Sequence, residues 1–424
     1  MKINKQNSAL FSLFHHDVSE ILKAKTYFTD KLWENLQNPI SLSENDLGKE
    51  ILEIIKRNTL KFSNDEIGLT LTGGFDSRVI LAALLHLGIK PVCFTYGNEK
   101  NRDIQIAKFI CQKLGLTYYN VATEKPTKEW YSKWVDETIK LEEGNAHLHR
   151  AHRTAAISEL NKKHTLKVLF TGHLGGENIR GLSYNDYFAS PFFEDFNESK
   201  LSFGENIKKQ LSRYFLDLND AEILELTKEI KSLPWMSENS DLNKLYFVNE
   251  LVGKIHHQQD IRLYSKFVDS VVPVYLQESY LEKLTLTKHH FMRKLGKKTG
   301  FLEHPKLYCE LIGKFYAPLL DFELSNGYAP KDFLRGNVNY IIKRIWQKYI
   351  KKLKKYPSFS YNEWYIDFVK EKSAEISEDI WKIYDKEKYL NQLNDTQLKT
   401  TEGFWHKFSN PIFFDLINKN KTLP

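Results

Sequence analysis

Residues 69–84 read LTLTGGFDSRVILAAL. The first part, Ile67 to Leu71, is a short apolar run typical of a buried strand. Thr72-Gly73-Gly74 then breaks it as a turn, and Asp76 to His86 (DSRVILAALLH) has the composition of a helix, closed by Gly88. A strand, a glycine turn and a helix in that order place an anion site at the carboxyl end of a parallel strand, facing a helix N-terminus. Adjacent glycines let the backbone turn tightly and present N–H groups to an anion. Thr72 and Ser77 add hydroxyl donors. Asp76 repels a phosphate directly, so its chemistry is to hold Mg²⁺, which bridges phosphate oxygens. The stretch lacks the Gly-Lys-Ser/Thr ending of a Walker A loop.

Outward from this loop the pattern repeats. Residues 47–60 (LGKEILEIIKRNTL) form an amphipathic helix before it. After it come a strand at Pro91 to Tyr96, a helix at Asp103 to Leu114 closed by Gly115, and a strand at Leu116 to Val121. A helix at His152 to Lys162 and a strand at Leu166 to Thr171 follow. Alternation at this spacing predicts an α/β fold with a parallel sheet and crossover helices. Past about residue 185 the strand signals fade and aromatic-rich helical segments run to the end. The expected organisation is an N-terminal segment (1–45) with a helix near Val18 to Lys25, and an α/β core at 46–185. A helical substrate-pocket part follows at 186–335, then a basic, aromatic-rich helical region at 336–424.

The Thr72-Gly73-Gly74-Phe75-Asp76-Ser77 loop resembles the Ser-Gly-Gly-x-Asp-Ser signature of the N-type ATP pyrophosphatases, with threonine for the first serine. Other blocks resemble one branch, the asparagine synthase C-terminal domain. They are Tyr96-Gly97 with Asp103 to Ala107; Phe170-Thr171-Gly172-His173-Leu174-Gly175-Gly176-Glu177 with Gly181; and the Asp260, Asp269, Pro273 interval. Gly176 stands where the family has an aspartate, Asp269 where it has a glutamate, and Val271 where it has an arginine. The last change suggests a changed substrate.

The resemblance implies a PP-loop domain of the adenine-nucleotide α-hydrolase-like fold with a large helical C-terminal extension. It implies ATP and Mg²⁺ as cofactors. The implied nucleotide site is Leu71, Thr72, Gly73, Gly74, Phe75, Asp76, Ser77, Arg78, Thr95, Asp103, Thr171, Gly172 and Glu177. Asp76 and Glu177 would be the metal ligands. Asp76, Asp269 and Lys306 would be the catalytic residues, Lys306 standing for the family's charge-stabilising lysine; Lys297, Lys298 and Lys314 compete for that role.

The implied reaction adenylates a small-molecule or peptide carboxylate, releases pyrophosphate and passes the acyl group to an amine or ammonia. Lys2 follows Met1, and fewer than 50 residues precede the synthetase-like part. Glutamine hydrolysis by an N-terminal cysteine is therefore not expected here. The amine would come from free ammonia, from the substrate, or from a separate amidotransferase or biosynthetic partner. Two alternatives stay open: a decayed synthetase-like nucleotide-binding scaffold, and a nucleoside- or tRNA-modifying PP-loop enzyme.

The chain has 424 residues, 42% hydrophobic and 27% charged, with a net charge of +7. That is an ordinary globular composition. Much of the excess charge lies in Lys288–Lys298 and Lys343–Lys355, whose lysines read as solvated helix faces, so nucleic acid is not an expected partner. Cys93, Cys111 and Cys309 match no zinc or CxxC spacing. No apolar run is long enough for a membrane span, and no signal segment is evident, so a cytoplasmic protein is expected. Two cationic stretches remain. His147 to Arg153 (HLHRAHR) could meet a carboxylate or phosphate through His149, His152 and Arg153, and His256-His257 could line the same pocket as Asp260.

Overall fold

Five short strands carry the architecture: β1 (Ile67–Thr70), β2 (Val92–Tyr96), β3 (Tyr118–Val121), β4 (Val168–Thr171) and β5 (Ser270–Pro273). They form one sheet in the order β3-β2-β1-β4-β5, every neighbouring pair parallel. The computed structural model describes residues 3–14, 27–97, 99, 101–121, 127–142, 148–180, 202–233, 240–294, 303–325, 327–334, 341–342, 345–346, 361–394 and 404–421. The helix expected near Val18 to Lys25 lies outside them, as does most of the Lys343–Lys355 run.

The expected helices form where the sequence places them, within a few residues at each end. The Glu44–Thr59 helix starts at a capping box in which Asp46 accepts from the Ser43 N–H at 3.0 Å. It buries Leu47, Ile51, Ile54 and Ile55. The Asp76–His86 helix is buried from Ser77 to Leu84, on all its faces. That burial follows from its position between the sheet and the Glu44–Thr59 and Glu303–Tyr316 helices. Each Val, Ile or Leu so enclosed contributes about 1.5–3 kcal/mol. The Arg102–Leu114 helix opens with the Asn101 side chain accepting from the Asp103 N–H at 2.8 Å. It closes on Gly115 at φ +61°, a left-handed end that glycine adopts without steric cost.

Two elements depart from the reading above. A helix at Lys128–Leu141 stands between β3 and the Ala151–Lys163 helix. More consequentially, the sheet does not end at residue 171. β5 comes from within the segment expected to be helical, and lies beside β4 in the register Val168↔Ser270 to Thr171↔Pro273. A four-residue run such as Ser-Val-Val-Pro carries no periodicity that separates strand from helix. Only its partner, far back in the chain, makes it a strand.

Two glycines report how tightly the sheet's loops are set. A Cβ on Gly172 would lie 3.0 Å from the Ser77 backbone nitrogen and 3.2 Å from the Asp76 carbonyl carbon. A Cβ on Gly68 would lie 2.7 Å from a Leu166 methyl. Backbone cannot yield as a leucine rotamer can. Gly172→Ala is therefore expected to destabilise the chain by about 1–3 kcal/mol and Gly68→Ala by less, read as midpoint shifts in urea unfolding.

Candidate functional site

The strand order turns at β1. From β1 the chain adds β2 and β3 to one side, then returns to add β4 and β5 on the other. The chain therefore leaves β1 and β4 for opposite ends of the sheet, and a crevice opens at their carboxyl ends. A cleft of about 400 Å³ lies there. Thr70 to Thr72, Asp76 and Ser77 line it from the β1 side, Gly172 to Leu174 and Glu177 from the β4 side. Phe94 to Tyr96, Asn101, Asp103 and Ile104 supply the β2 side, with His257 and Tyr264 opposite.

The β1 loop holds its shape through short hydrogen bonds. The Thr72 N–H donates to Ser77 Oγ at 3.1 Å, and the two hydroxyls lie 3.2 Å apart. The Gly74 N–H donates to Thr72 Oγ1 at 3.3 Å. The Gly73 N–H donates to Asp103 Oδ1 at 3.1 Å, so Asp103 braces the loop from the next helix. Gly73 has no room for a side chain, since a Cβ would lie 2.7 Å from that oxygen. Phe75 occupies the cap position of the following helix and offers no side-chain cap. The first-turn N–H groups and their positive dipole end thus point at the cleft.

The β4 loop closes over this one. Leu174 sits at φ +62°, a left-handed conformation that costs a non-glycine residue about 1 kcal/mol or more. Its side chain is 2% exposed and packs near Gly253 and Leu276, which holds it there. A Cβ on Gly175 would lie 2.7 Å from Asp76 Oδ1 and 2.7 Å from the Tyr308 hydroxyl. Asp76, Tyr308 and the β4 loop therefore converge on one point. The Tyr275 hydroxyl donates to the Asp76 carbonyl at 2.9 Å, and the Tyr275 and Tyr308 rings stack at 5.9 Å. Burial pushes the Tyr308 hydroxyl well above its usual range, with Tyr275, Asp76, Tyr280 and Glu177 adding to it. Asp76 and Glu177 thus both surround one buried phenol.

The far end of the cleft is built around Asp260, which is fully buried. Arg150 Nη1 donates to both of its carboxylate oxygens at 2.8 Å, and Arg153 pairs with it as well. Two guanidinium groups more than cancel its charge. His173 Nε2 lies 3.4 Å from Asp260 Oδ2, its Nδ1 lies 2.9 Å from Thr171 Oγ1, and its ring is 5.3 Å from that of His257. Burial, with Arg153 and Arg150 nearby, pushes His173 down to about 3. Burial likewise drives His257 well below its ordinary value, helped by His173 and the two arginines. Both rings are neutral at pH 7.

Of the residues expected at the site, Leu71, Thr72, Asp76, Ser77, Thr95, Asp103, Gly172 and Glu177 line this cleft. Gly73, Gly74 and Phe75 complete its loop, and Thr171 closes β4 behind it. Thr95 Oγ1 shares a hydrogen bond with the Tyr118 hydroxyl at 2.5 Å. Three expected residues are not brought to the cleft. Arg78 is fully buried on the opposite side of its helix, where Nη2 donates to the Glu323 carbonyl at 2.8 Å. Burial lowers it to about 10. Asp269 precedes β5 and so lies at the amino end of the sheet, 66% exposed and 3.1 Å from Lys167. Lys306 is exposed on the Glu303–Tyr316 helix, whose Tyr308 faces inward instead. Lys314 Nζ reaches Asn45 at 2.7 Å. Lys297, Lys298 and Gly181 lie outside the described residues. Of the cationic stretch, Arg150 and Arg153 pair with Asp260 behind His173, and the His152 ring lies 5.6 Å from that of Tyr96, which lines the cleft. His173, Arg150, Tyr275 and Tyr308 carried no assigned role in the sequence, although Arg150 sits within the cationic HLHRAHR stretch.

Comparison with known proteins agrees with this geometry. The asparagine synthase family model matches residues 52–290, more than half of the 424 residues. The matched span contains β1 to β5 and both cleft loops. No curated protein matches the chain. With its parallel sheet, its Thr72–Ser77 loop and this match, the chain belongs to the asparagine synthase family of ATP-utilising synthetases.

Proposed function

We propose that this chain is an ATP-dependent carbon–nitrogen ligase. It adenylates a substrate carboxylate with release of pyrophosphate, then passes the acyl group to an amine or ammonia. The observation that carries this reading is the placement of Asp76 and Glu177. They come from the loops after β1 and β4, yet line one cleft at the switch point.

Two carboxylates on opposed loops are the hard oxygen donors that Mg²⁺ takes, with phosphate oxygens and water completing the shell. Gly172 and Gly175, lacking side chains, let those loops approach to contact. A bound Mg²⁺ would neutralise phosphate charge and favour departure of pyrophosphate. The chain's own groups do the rest. The Thr72 and Ser77 hydroxyls and the first turn of the Asp76–His86 helix bind phosphate oxygens. Phe94, Thr95 and Tyr96 at the end of β2 offer an apolar face with a hydroxyl for the nucleoside. A substrate carboxylate oxygen bonds to the α-phosphorus as the α–β bridging bond breaks. The amine nitrogen then bonds to the acyl carbon, AMP leaves, and the amine gives up a proton. The amine comes from ammonia, from the substrate itself, or from a separate amidotransferase. Among the described residues no helix is long and apolar enough to cross a membrane.

A second reading rests on Gly176, where the family motif has an aspartate: a chain that binds nucleotide without turning it over. Incubation with ATP, Mg²⁺ and a panel of carboxylates and amines separates the two. AMP and pyrophosphate are expected. ADP and phosphate, or nucleotide binding with no cleavage across the panel, would reject the ligase.

Asp76→Ala is expected to lower pyrophosphate release by about 10²–10³-fold while the far-ultraviolet dichroism stays unchanged. Asp269→Asn removes only an exposed pair, so it is expected to change stability by less than about 1 kcal/mol and to leave pyrophosphate release as it was. Loss of turnover in that variant would return Asp269 to the reaction.

A further inference from the structure

We propose that a second cavity, of about 380 Å³ and apart from the cleft after β1 and β4, binds a primary amine that stands beside a neutral amide. That chemistry is shared by an amino acid amide and a peptide N-terminus.

The walls come from elements that also build the cleft. Asn249 belongs to a π-helical stretch, Phe247–His257, and Gln258 and Arg262 to the α-helix Gln258–Ser265 that continues it. The last two are four residues apart and share a helix face. Phe28 comes from the Tyr27–Gln37 helix and Leu281 from the Glu278–Thr285 helix. π-helical turns recur at functional sites, and this one serves two: His257 lines the cleft and Asn249 the cavity. Between them lies Gly253. A Cβ there would lie 3.3 Å from Leu174, which lines the cleft, and 3.3 Å from Leu276, which lines the cavity.

The lining selects the ligand. The volume suits a small molecule. Phe28, Leu276 and Leu281 give it an apolar wall for an alkyl side chain. Asn249 is 5% exposed, and its Nδ2 makes no hydrogen bond among the described residues. A buried amide left so is costly until a ligand pairs with it. Asn249 and Gln258 are carboxamides, each with a donor and an acceptor, and their complement is another amide.

Charge decides the rest. Arg262 Nε donates to Glu142 at 2.9 Å, so that buried carboxylate cancels the guanidinium. Glu278 is exposed and leaves the lining net negative. Such a lining attracts an ammonium and repels a carboxylate. An alkyl group, an ammonium and a neutral amide together make an α-amino amide, whereas a free amino acid brings the wrong charge.

The test is calorimetric titration of the full chain with leucinamide, leucine, 4-methylpentanamide and the tripeptide Leu-Gly-Gly. It needs neither ATP nor turnover, so its outcome is independent of the ligase reading. Saturable leucinamide binding is expected. Leucine, with its carboxylate, and 4-methylpentanamide, without the amine, should each bind about 10-fold or more weakly. Asn249→Leu and the exposed Glu278→Gln should each weaken leucinamide by a similar factor, and Asp76→Ala should leave it unchanged. Tighter binding of the tripeptide would assign the site to a peptide N-terminus, and tighter binding of leucinamide to a small amide. Absence of binding by both, leucine binding as tightly as leucinamide, unchanged affinity in Glu278→Gln, or lost affinity in Asp76→Ala would each overturn the proposal.

Discussion

The contact on which the site depends is between two loops that start from neighbouring strands. β1 and β4 pair in register from Ile67↔Val168 to Leu69↔Phe170, so their carboxyl ends rise side by side. Two residues later Gly172 meets the backbone of Asp76 and Ser77 at a separation that leaves no room for a methyl group. This approach brings Asp76 and Glu177 to opposite walls of one cleft. It also places at the mouth the N-terminus of a helix buried from Ser77 to Leu84. Every other feature of the site reinforces this meeting. Tyr275 ties the Asp76 carbonyl, Asp103 ties Gly73, and Leu174 is held in a left-handed backbone by its burial.

The loop is also supported from behind. Arg78, two residues beyond Asp76, points away from the cleft and binds the Phe322 and Glu323 carbonyls. A buried guanidinium with carbonyl partners anchors the 322–323 segment to the helix carrying the loop. Ser325 then donates to the Gly73 carbonyl at 3.1 Å. The Thr72–Ser77 loop is thus clamped between Asp103 on one side and the 322–325 segment on the other. Such pre-positioning matters because catalysis at phosphorus is chiefly a matter of held geometry and charge. Arg78, adjacent to the motif, serves this anchor and does not line the cleft.

What was legible in the sequence was local. The apolar run, the glycine pair and the helix of residues 67–86 lie within one short stretch, and each signal there is independent of tertiary partners. β5 depends on β4, so Val271 and Val272 gave no strand signal alone. The Asp260, Asp269 and Pro273 interval is a matter of spacing, and spacing along a chain does not say which end of a strand a residue reaches. β5 runs from 270 to 273, leaving Asp269 at the foot of the sheet and Pro273 at its top. Asp260 returns to the top through the helix that precedes the strand. The same reasoning separates Lys306 from Tyr308. Residues two apart on a helix diverge by about 200°, so an inward Tyr308 requires an outward Lys306. Arg150 could not be ranked above the histidines of HLHRAHR, because only the fold shows that a buried carboxylate waits for it.

The two ends of the cleft differ in chemistry, and that difference follows from which residues the fold can afford to bury. At the Thr72–Ser77 end the polar groups are oxygens, with glycines around them. At the other end the buried carboxylate is more than neutralised by arginine and flanked by imidazoles held neutral through burial. A buried ion pair gives little net stability over an apolar replacement. The Arg150–Asp260 pair is therefore better understood by what it fixes than by what it stabilises. It sets the wall against which His173 and His257 stand.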